Sequence, residues 1–179
     1  MNPAEFANIA GAEAELWWYR GMRRILFRVL DPFLAARPVR RVLEAGCGTG
    51  FFARTLERDR GWDVYPSDIA WDGLLYGRSS GLRRLSQANL TALPFATGAF
   101  DMVTAMDVLA HFHPGEEDRP IRELARVLAP GGLLVLRASA LRVLRSHHSV
   151  FVNERQRFTR ARLVGAIASA GIRVHRCTY

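Results

Sequence analysis

Residues 42–52 read VLEAGCGTGFF: a short apolar run, one acidic residue, then glycines at alternate positions before the sequence turns helical. Glycine loses more backbone freedom on ordering than any other residue. Three so close together imply a backbone that bends sharply or lets something come very near. A strand feeding a glycine-rich turn and then a helix is the opening unit of an α/β sheet. In an open parallel sheet, ligands bind beyond the carboxyl ends of the strands, where the strand order reverses.

The alternation continues downstream. Strands are expected at 40–44, 62–68, 84–87, 100–106, 133–137 and 172–178, and helices at 51–60, 71–76, 116–128 and 159–170. Thr159 is suited to cap the last helix and Gly171 to end it, while Pro130-Gly131-Gly132 stops the one before. Upstream, residues 4–36 are expected to be helical. Met22, Ile25, Leu26, Val29, Leu30 and Phe33 form one apolar face, opposite a solvated face of Arg20, Arg23, Arg24 and Arg28. The fold class is therefore α/β, a doubly wound and mostly parallel sheet. The chain reads as one domain, 1–179, with a helical extension or lid at 1–38 and a ligand-binding core at 39–179.

Composition narrows the class. An apolar fraction of 49% and a charged fraction of 23% suit a globular domain. No apolar run approaches the roughly 18 residues that span a bilayer. The opening MNPAEFANIAGAEAELWW lacks the basic and apolar parts of a signal peptide, and Cys47 and Cys177 have no metal-like spacing, so a cytoplasmic location is expected. The net charge of +8 is carried by arginine without any lysine. That exclusion reads as coding bias, and nucleic acid is not the expected partner.

Two familiar glycine loops fail on inspection. A dinucleotide fingerprint, G-x-G-x-x-G, requires glycine where Phe51 stands, and a P-loop requires a following G-K-[ST]. Glu44-Ala45-Gly46-Cys47-Gly48-Thr49-Gly50 instead resembles motif I of the class I S-adenosylmethionine-dependent methyltransferases. DVYPSDIA, NLTALPFATGAFDMVTAMDVLAHF and ELARVLAPGGLLVL resemble later stretches of that family, in order. WWYRGMRR and RFTRARLVGAIASAGIRV resemble its small-molecule, type 11/12-like branch.

The resemblance implies a Rossmann-like class I fold, S-adenosyl-L-methionine as cofactor, and direct in-line methyl transfer to a small-molecule acceptor. It implies cofactor contacts from Glu44, Gly46, Cys47, Gly48, Gly50, Asp68, Ile69, Asn89, Leu90, Met106 and Asp107. Asp68 would hold the ribose diol and Asn89 would accept from the adenine amino group, with Leu90 supplying neighbouring backbone. Asp107 would meet the methionine end or orient His111. The Leu93-Pro94-Phe95 stretch reads as a packing corner.

No universal catalytic residue exists in this chemistry, but His111, just past the fourth strand, is the candidate general base. Trp17, Trp18, Tyr19 and Arg20 would form a lid, with aromatic walls for the acceptor and a guanidinium near the cofactor carboxylate. His147 and His148, expected in a loop, are further acceptor-site candidates. His113, Glu116, Glu117 and Asp118 read as a helix start, where negative charge suits the dipole, and no metal is expected. The family's seventh strand is expected to be absent, because the sequence reaches Tyr179 at the end of the sixth. The open sheet edge would then invite a homodimer. Alternatives are a nucleic-acid methyltransferase, although AMDV follows the fourth strand where an Asn-Pro-Pro-Tyr-type tetrad would stand, and a non-catalytic cofactor-binding partner subunit. An NAD-dependent oxidoreductase ranks below these because of Phe51.

Overall fold

The computed structural model describes residues 3–35 and 37–179. It places five parallel strands in one sheet: β1 (Arg41–Ala45), β2 (Asp63–Asp68), β3 (Ser86–Gln87), β4 (Phe100–Met106) and β5 (Leu128–Arg137), in the order β3-β2-β1-β4-β5. The order reverses between β1 and β4, so the carboxyl end of β1 faces the crevice where such sheets bind ligands. The doubly wound α/β fold read from the sequence is the observed one.

Alternation along β1 builds two cores. Val42 points to one face, with Ala53, Leu56, Val64 and Met102; Leu43 points to the other, with Val103, Leu109, Ile121, Leu124 and Val127. The first face is covered by α2 (Trp17–Leu34) and α3 (Phe51–Arg60), the second by α5 (Asp118–Val127) and α7 (Arg160–Ser169). Gly50 and Gly61, both left-handed, bracket α3, and Thr159 Oγ1 accepts from Arg162 N to cap α7. Glu123 and Arg126 of α5 clamp the Leu93-Pro94-Phe95 corner: Leu93 N donates to Glu123, and the Arg126 guanidinium donates to Phe95 O and Leu93 O. That corner is packing, as its composition implied.

Three expectations change. The N-terminal helix is two helices, α1 (Pro3–Ala12) and α2, parted by residues 13–16. The break lets α1 lie across α4 (Trp71–Ser79) while α2 covers the sheet; buried Phe6 packs on Gly73, and Phe27 stacks near Phe52. Residue 36, included in the expected helix, lies outside the described residues, as do residues 1 and 2 of the expected extension. β5 starts earlier than expected because Pro130-Gly131-Gly132 bulges within the ladder instead of preceding it: Phe100 pairs with Leu128, then Met102 with Leu133.

The third change is the sixth strand. Among the described residues, 172–178 forms no strand. A cavity of about 810 Å³, lined by α2, β5, α7 and 172–179, separates that segment from β5. With no backbone beside it to pair with, the segment is tethered by side chains, His175 against Phe33 and Tyr179 Oη accepting from Arg160 N. The exposed edge is therefore that of β5, not of a sixth strand.

Candidate cofactor and acceptor site

The glycine loop runs from the end of β1 into α3, as its sequence implied. Gly46 N and Cys47 N both donate to Ser67 O of β2, and Gly50 N donates to Cys47 O. Gly46 and Gly50 have φ of 77° and 75°. A side chain at Gly46 would also lie 2.7 Å from Val108 Cγ2, and one at Gly50 2.5 Å from Leu82 Cδ1, so both positions exclude other residues twice over. Above Gly48 nothing lies within 4 Å of where a side chain would begin, so the loop's exposed backbone faces an open cradle.

Asp68, closing β2, fixes this loop. Its Oδ2 accepts from Gly48 N at 2.8 Å and its Oδ1 from Ala70 N at 2.8 Å. A carboxylate has about four acceptor positions, so room remains for a diol. Ile69, beside it, is 64% exposed. Glu44 lies beneath the loop and is fully buried; its Oε2 is, among the described residues, a buried oxygen without a partner. Burial pushes the Glu44 carboxyl well above its ordinary range, opposed by the Ala53 N–H and reinforced by Asp68 and Glu13. Burial likewise raises the Cys47 thiol, with Glu44 and Asp68 adding to it, so Cys47 is a space-filling thiol and not a nucleophile.

An open cradle of backbone, a carboxylate with spare acceptor capacity, and an orphaned buried carboxyl beneath them fit a nucleoside carrying a cationic amino-acid tail.

Beyond β4 the chain turns at Asp107, whose φ of 60° is unusual for a residue with a side chain. Asp107 N donates to Arg137 O, and Asp107 Oδ2 receives the Arg137 guanidinium at 2.5 and 2.8 Å. The Arg137 guanidinium also lies 5.6 Å from the Trp18 ring centroid, and Trp18 meets Tyr19 edge-on. Met106, Asp107, Trp18 and Tyr19 are thus gathered at the carboxyl ends of β4 and β5, around an arginine that the sequence reading passed over. Its signal was available: Arg137 is the charge that ends the apolar run Leu133-Leu134-Val135-Leu136.

His111 ends a 3-10 turn after Asp107, and its Nδ1 lies 3.2 Å from Asn153 O. A carbonyl only accepts, so Nδ1 carries the proton and Nε2 presents a lone pair. Burial lowers the His111 pKa, partly offset by the Asn153 bond. The contact that orients His111 is Asn153 O, while Asp107 Oδ2 is held by Arg137.

Other expectations shift. Asn89 Oδ1 accepts from both Thr91 N and Thr91 Oγ1 at 2.9 Å, so a local turn uses the oxygen assigned to adenine; Leu90, next to it, is buried. His147 and His148 open a short helix, α6 (His147–Phe151), instead of lying in a loop; both are exposed, and His148 Nε2 is 3.9 Å from Glu5 Oε1. Arg20 is exposed, while Arg23, expected on the solvated face, turns inward to donate to Glu13 O at 2.8 Å and to stack 4.7 Å from the Phe51 ring.

Glu13, also unforeseen, ties the N-terminal helical segment to the loop. It is 9% exposed and sets both carboxylate oxygens on Thr49 Oγ1, at 2.7 and 2.8 Å. Its pKa is raised by burial against the opposing Thr49 bond. The helix break at 13–16 is what brings it there. Elsewhere, Glu116 and Glu117 satisfy backbone N–H groups of His113 and Gly115 ahead of α5, and Glu117 also pairs with Arg162. Among the described residues no group of three possible metal ligands occurs, and no helix is long and apolar enough to cross a membrane.

Comparison with known proteins agrees with this geometry. Residues 43–136 match the methyltransferase domain family. The demethylmenaquinone methyltransferase of Thermus thermophilus is 38% identical over 129 residues, covering 69% of this chain and 54% of that protein. This chain spans about half, or less, of the length of the curated relatives it matches. A SAM-dependent methyltransferase from Aquifex aeolicus superposes with a TM-score of 0.71 at 19% identity, covering 98% of this chain and 91% of that one, which speaks for the fold. The [4+2]-cyclase SpnF superposes at 0.70 with 26% identity, over 88% of this chain and 59% of that one. From β1 to the end of β5, this chain belongs to the S-adenosylmethionine-dependent methyltransferase family.

Proposed function

We propose that the protein transfers a methyl group from S-adenosyl-L-methionine to a small-molecule acceptor. The observation that carries this reading is the glycine loop at the reversal of strand order, tied to Asp68 through the Gly48 N–H. Relatives named for quinone and acyl-carrier substrates support a small or carrier-borne acceptor over a nucleic acid. The SpnF likeness is a reminder that the fold alone does not dictate the chemistry.

When bound, the cofactor supplies an already activated methyl group. The chain's residues then have to bind, align and exclude water, which can provide several kcal/mol or more of barrier reduction. In this reading Gly46, Cys47, Gly48 and Gly50 admit the nucleoside and its tail against bare backbone, and Glu44 provides a buried carboxyl below them that a bound cation draws toward its ionised form. Asp68 takes the ribose diol with its remaining lone pairs, Ile69 flanks it, and Asn89 and Leu90 border the base. Met106 and Asp107 border the tail. Trp18, Tyr19 and Arg20 of the lid, with His147 and His148 opposite, border the acceptor. His111 Nε2 takes the proton from a hydroxyl or ammonium acceptor.

Calorimetric titration with S-adenosylmethionine and, separately, NADH tests the cofactor. Micromolar binding of the first and none of the second is expected; the reverse result overturns the reading. Once a screen finds an acceptor, the pH dependence of kcat/KM tests His111. Its lowered pKa keeps it neutral at pH 7, so the acid limb should fall below its ordinary value of 6.5. His111→Ala should abolish that limb and lower kcat roughly 100-fold. A variant with an unchanged profile would remove His111 from the chemistry.

A further inference from the structure

Residues 138–153 carry no acidic side chain, while Arg142, Arg145, His147 and His148 among them are exposed. Interleaved with these cations are apolar side chains turned outward: Val143 at 86% exposure, Val150 at 62% and Leu144 at 61%, with Leu141 and Phe151 also exposed. Glu154, the next acid along the chain, is buried and paired with Arg157. No ion pair involving Arg142 or Arg145 occurs among the described residues.

Frayed ends often expose apolar groups, but this segment is held firmly. Leu141 N donates to Phe158 O, and Leu141 is kept at a φ of 56°, which costs a leucine energy. Ser146 and Ser149 form a capping box on α6, Ser149 is buried and accepts from Arg157, and Arg155 N donates to Ala110 O. The backbone is anchored and the apolar tips point away from it. Apolar tips flanked by arginine, with no acid within the segment and Glu5 approached only by His148, complement a bilayer bearing anionic lipid: the tips enter the acyl boundary and the guanidiniums meet the headgroups. A protein partner would instead require a concave complement to a protruding turn.

We infer that Leu141–Phe151 is a docking surface for an anionic membrane. The segment abuts His111 through Asn153 O, so docking would present the candidate acceptor site to a molecule held in or on the bilayer. The location of the acceptor rests on the methyltransferase reading; docking itself does not.

Flotation with vesicles of phosphatidylcholine, with or without one quarter phosphatidylglycerol, tests the inference. The chain should float only with the anionic vesicles, and less as salt rises. Arg142→Gln with Arg145→Gln should weaken binding about 25-fold, near fivefold for each charge. Val143→Asp with Leu144→Asp should weaken it at least as much. Both pairs of substitutions lie at exposed side chains, and Arg145 gives up one long bond, 3.4 Å, to Glu154 O, so thermal melting should change little, which guards against misfolding as the cause. Equal flotation with neutral vesicles, or indifference to both variants, would overturn the inference. So would absent flotation accompanied by self-association that Val143→Asp with Leu144→Asp abolishes, which would assign the patch to a second copy.

Discussion

Asp68→Ala is expected to remove measurable cofactor binding, weakening it at least about 100-fold, while leaving the chain folded. Two losses combine. The ribose diol loses its charged acceptor, and Gly48 N loses the oxygen that sets the loop's shape. Hydrogen bonds to a charged group contribute about 1.5–3 kcal/mol each, and two such bonds exceed the roughly 2.7 kcal/mol that 100-fold represents. Asp68 is partly exposed and lies at the end of β2, outside both apolar clusters, so the core is unaffected. Asp68→Asn separates the contributions: an amide oxygen can still receive one backbone N–H, so binding should return in part. Calorimetry against S-adenosylmethionine, with circular dichroism for the fold, gives the result. Undiminished affinity in Asp68→Ala would show that the loop does not hold the cofactor.

The second large effect has opposite signs in stability and binding. Glu44 is buried with an unpartnered oxygen, and its folded-state pKa lies well above the ordinary 4.5. A carboxyl raised in this way contributes stability that is fully present below pH 4.5. In the unfolded chain the group ionises freely above that value, so the contribution is lost as pH rises toward the folded pKa. Glu44→Gln removes the titration. At pH 7.5 the variant should therefore melt higher than the wild type, by roughly 3–10 °C for a gain of about 1–3 kcal/mol, and the gap should close toward pH 4.5. The same substitution removes the carboxyl that a bound cation would draw into its charged form beneath the loop, so cofactor affinity should fall about tenfold or more. Paired melts at the two pH values and a titration decide it. A variant that melts lower at pH 7.5 would show that Glu44 is structurally satisfied.

Much of this architecture was legible because local chemistry and tertiary structure agreed. Helix α3 is bounded as expected because left-handed glycines bracket it. Strand β4 is bounded as expected because five of the seven residues of Phe100–Met106 are apolar and both faces are covered. Some misses were local, as where Thr91 takes the Asn89 oxygen; others depended on how separate elements meet. Ile172 and Val174 alternate with polar residues as a strand should, but a strand needs a backbone beside it, and β5 is separated from them by a cavity. Arg23 falls on the helix side that looked solvated, yet the helix break at 13–16 brings the Glu13 carbonyl within its reach. In the candidate site, the glycine loop and Asp68 lie where motif spacing put them. The Thr49–Glu13, Asp107–Arg137 and His111–Asn153 contacts join segments whose meeting no local pattern encodes.

The strand order has a consequence for how the chain is made. β1 lies between β2 and β4, but β4 begins only at Phe100. During synthesis, β1, α3 and β2 leave the ribosome before β4 and can pair, while the other edge of β1 has no partner. Val42 and Leu43, which become wholly buried, then flank a row of free N–H and C=O groups. Such an edge adheres to any extended segment it meets. The nascent chain is at greatest risk of misassociation in this interval, until Phe100–Met106 emerges and closes the centre of the sheet.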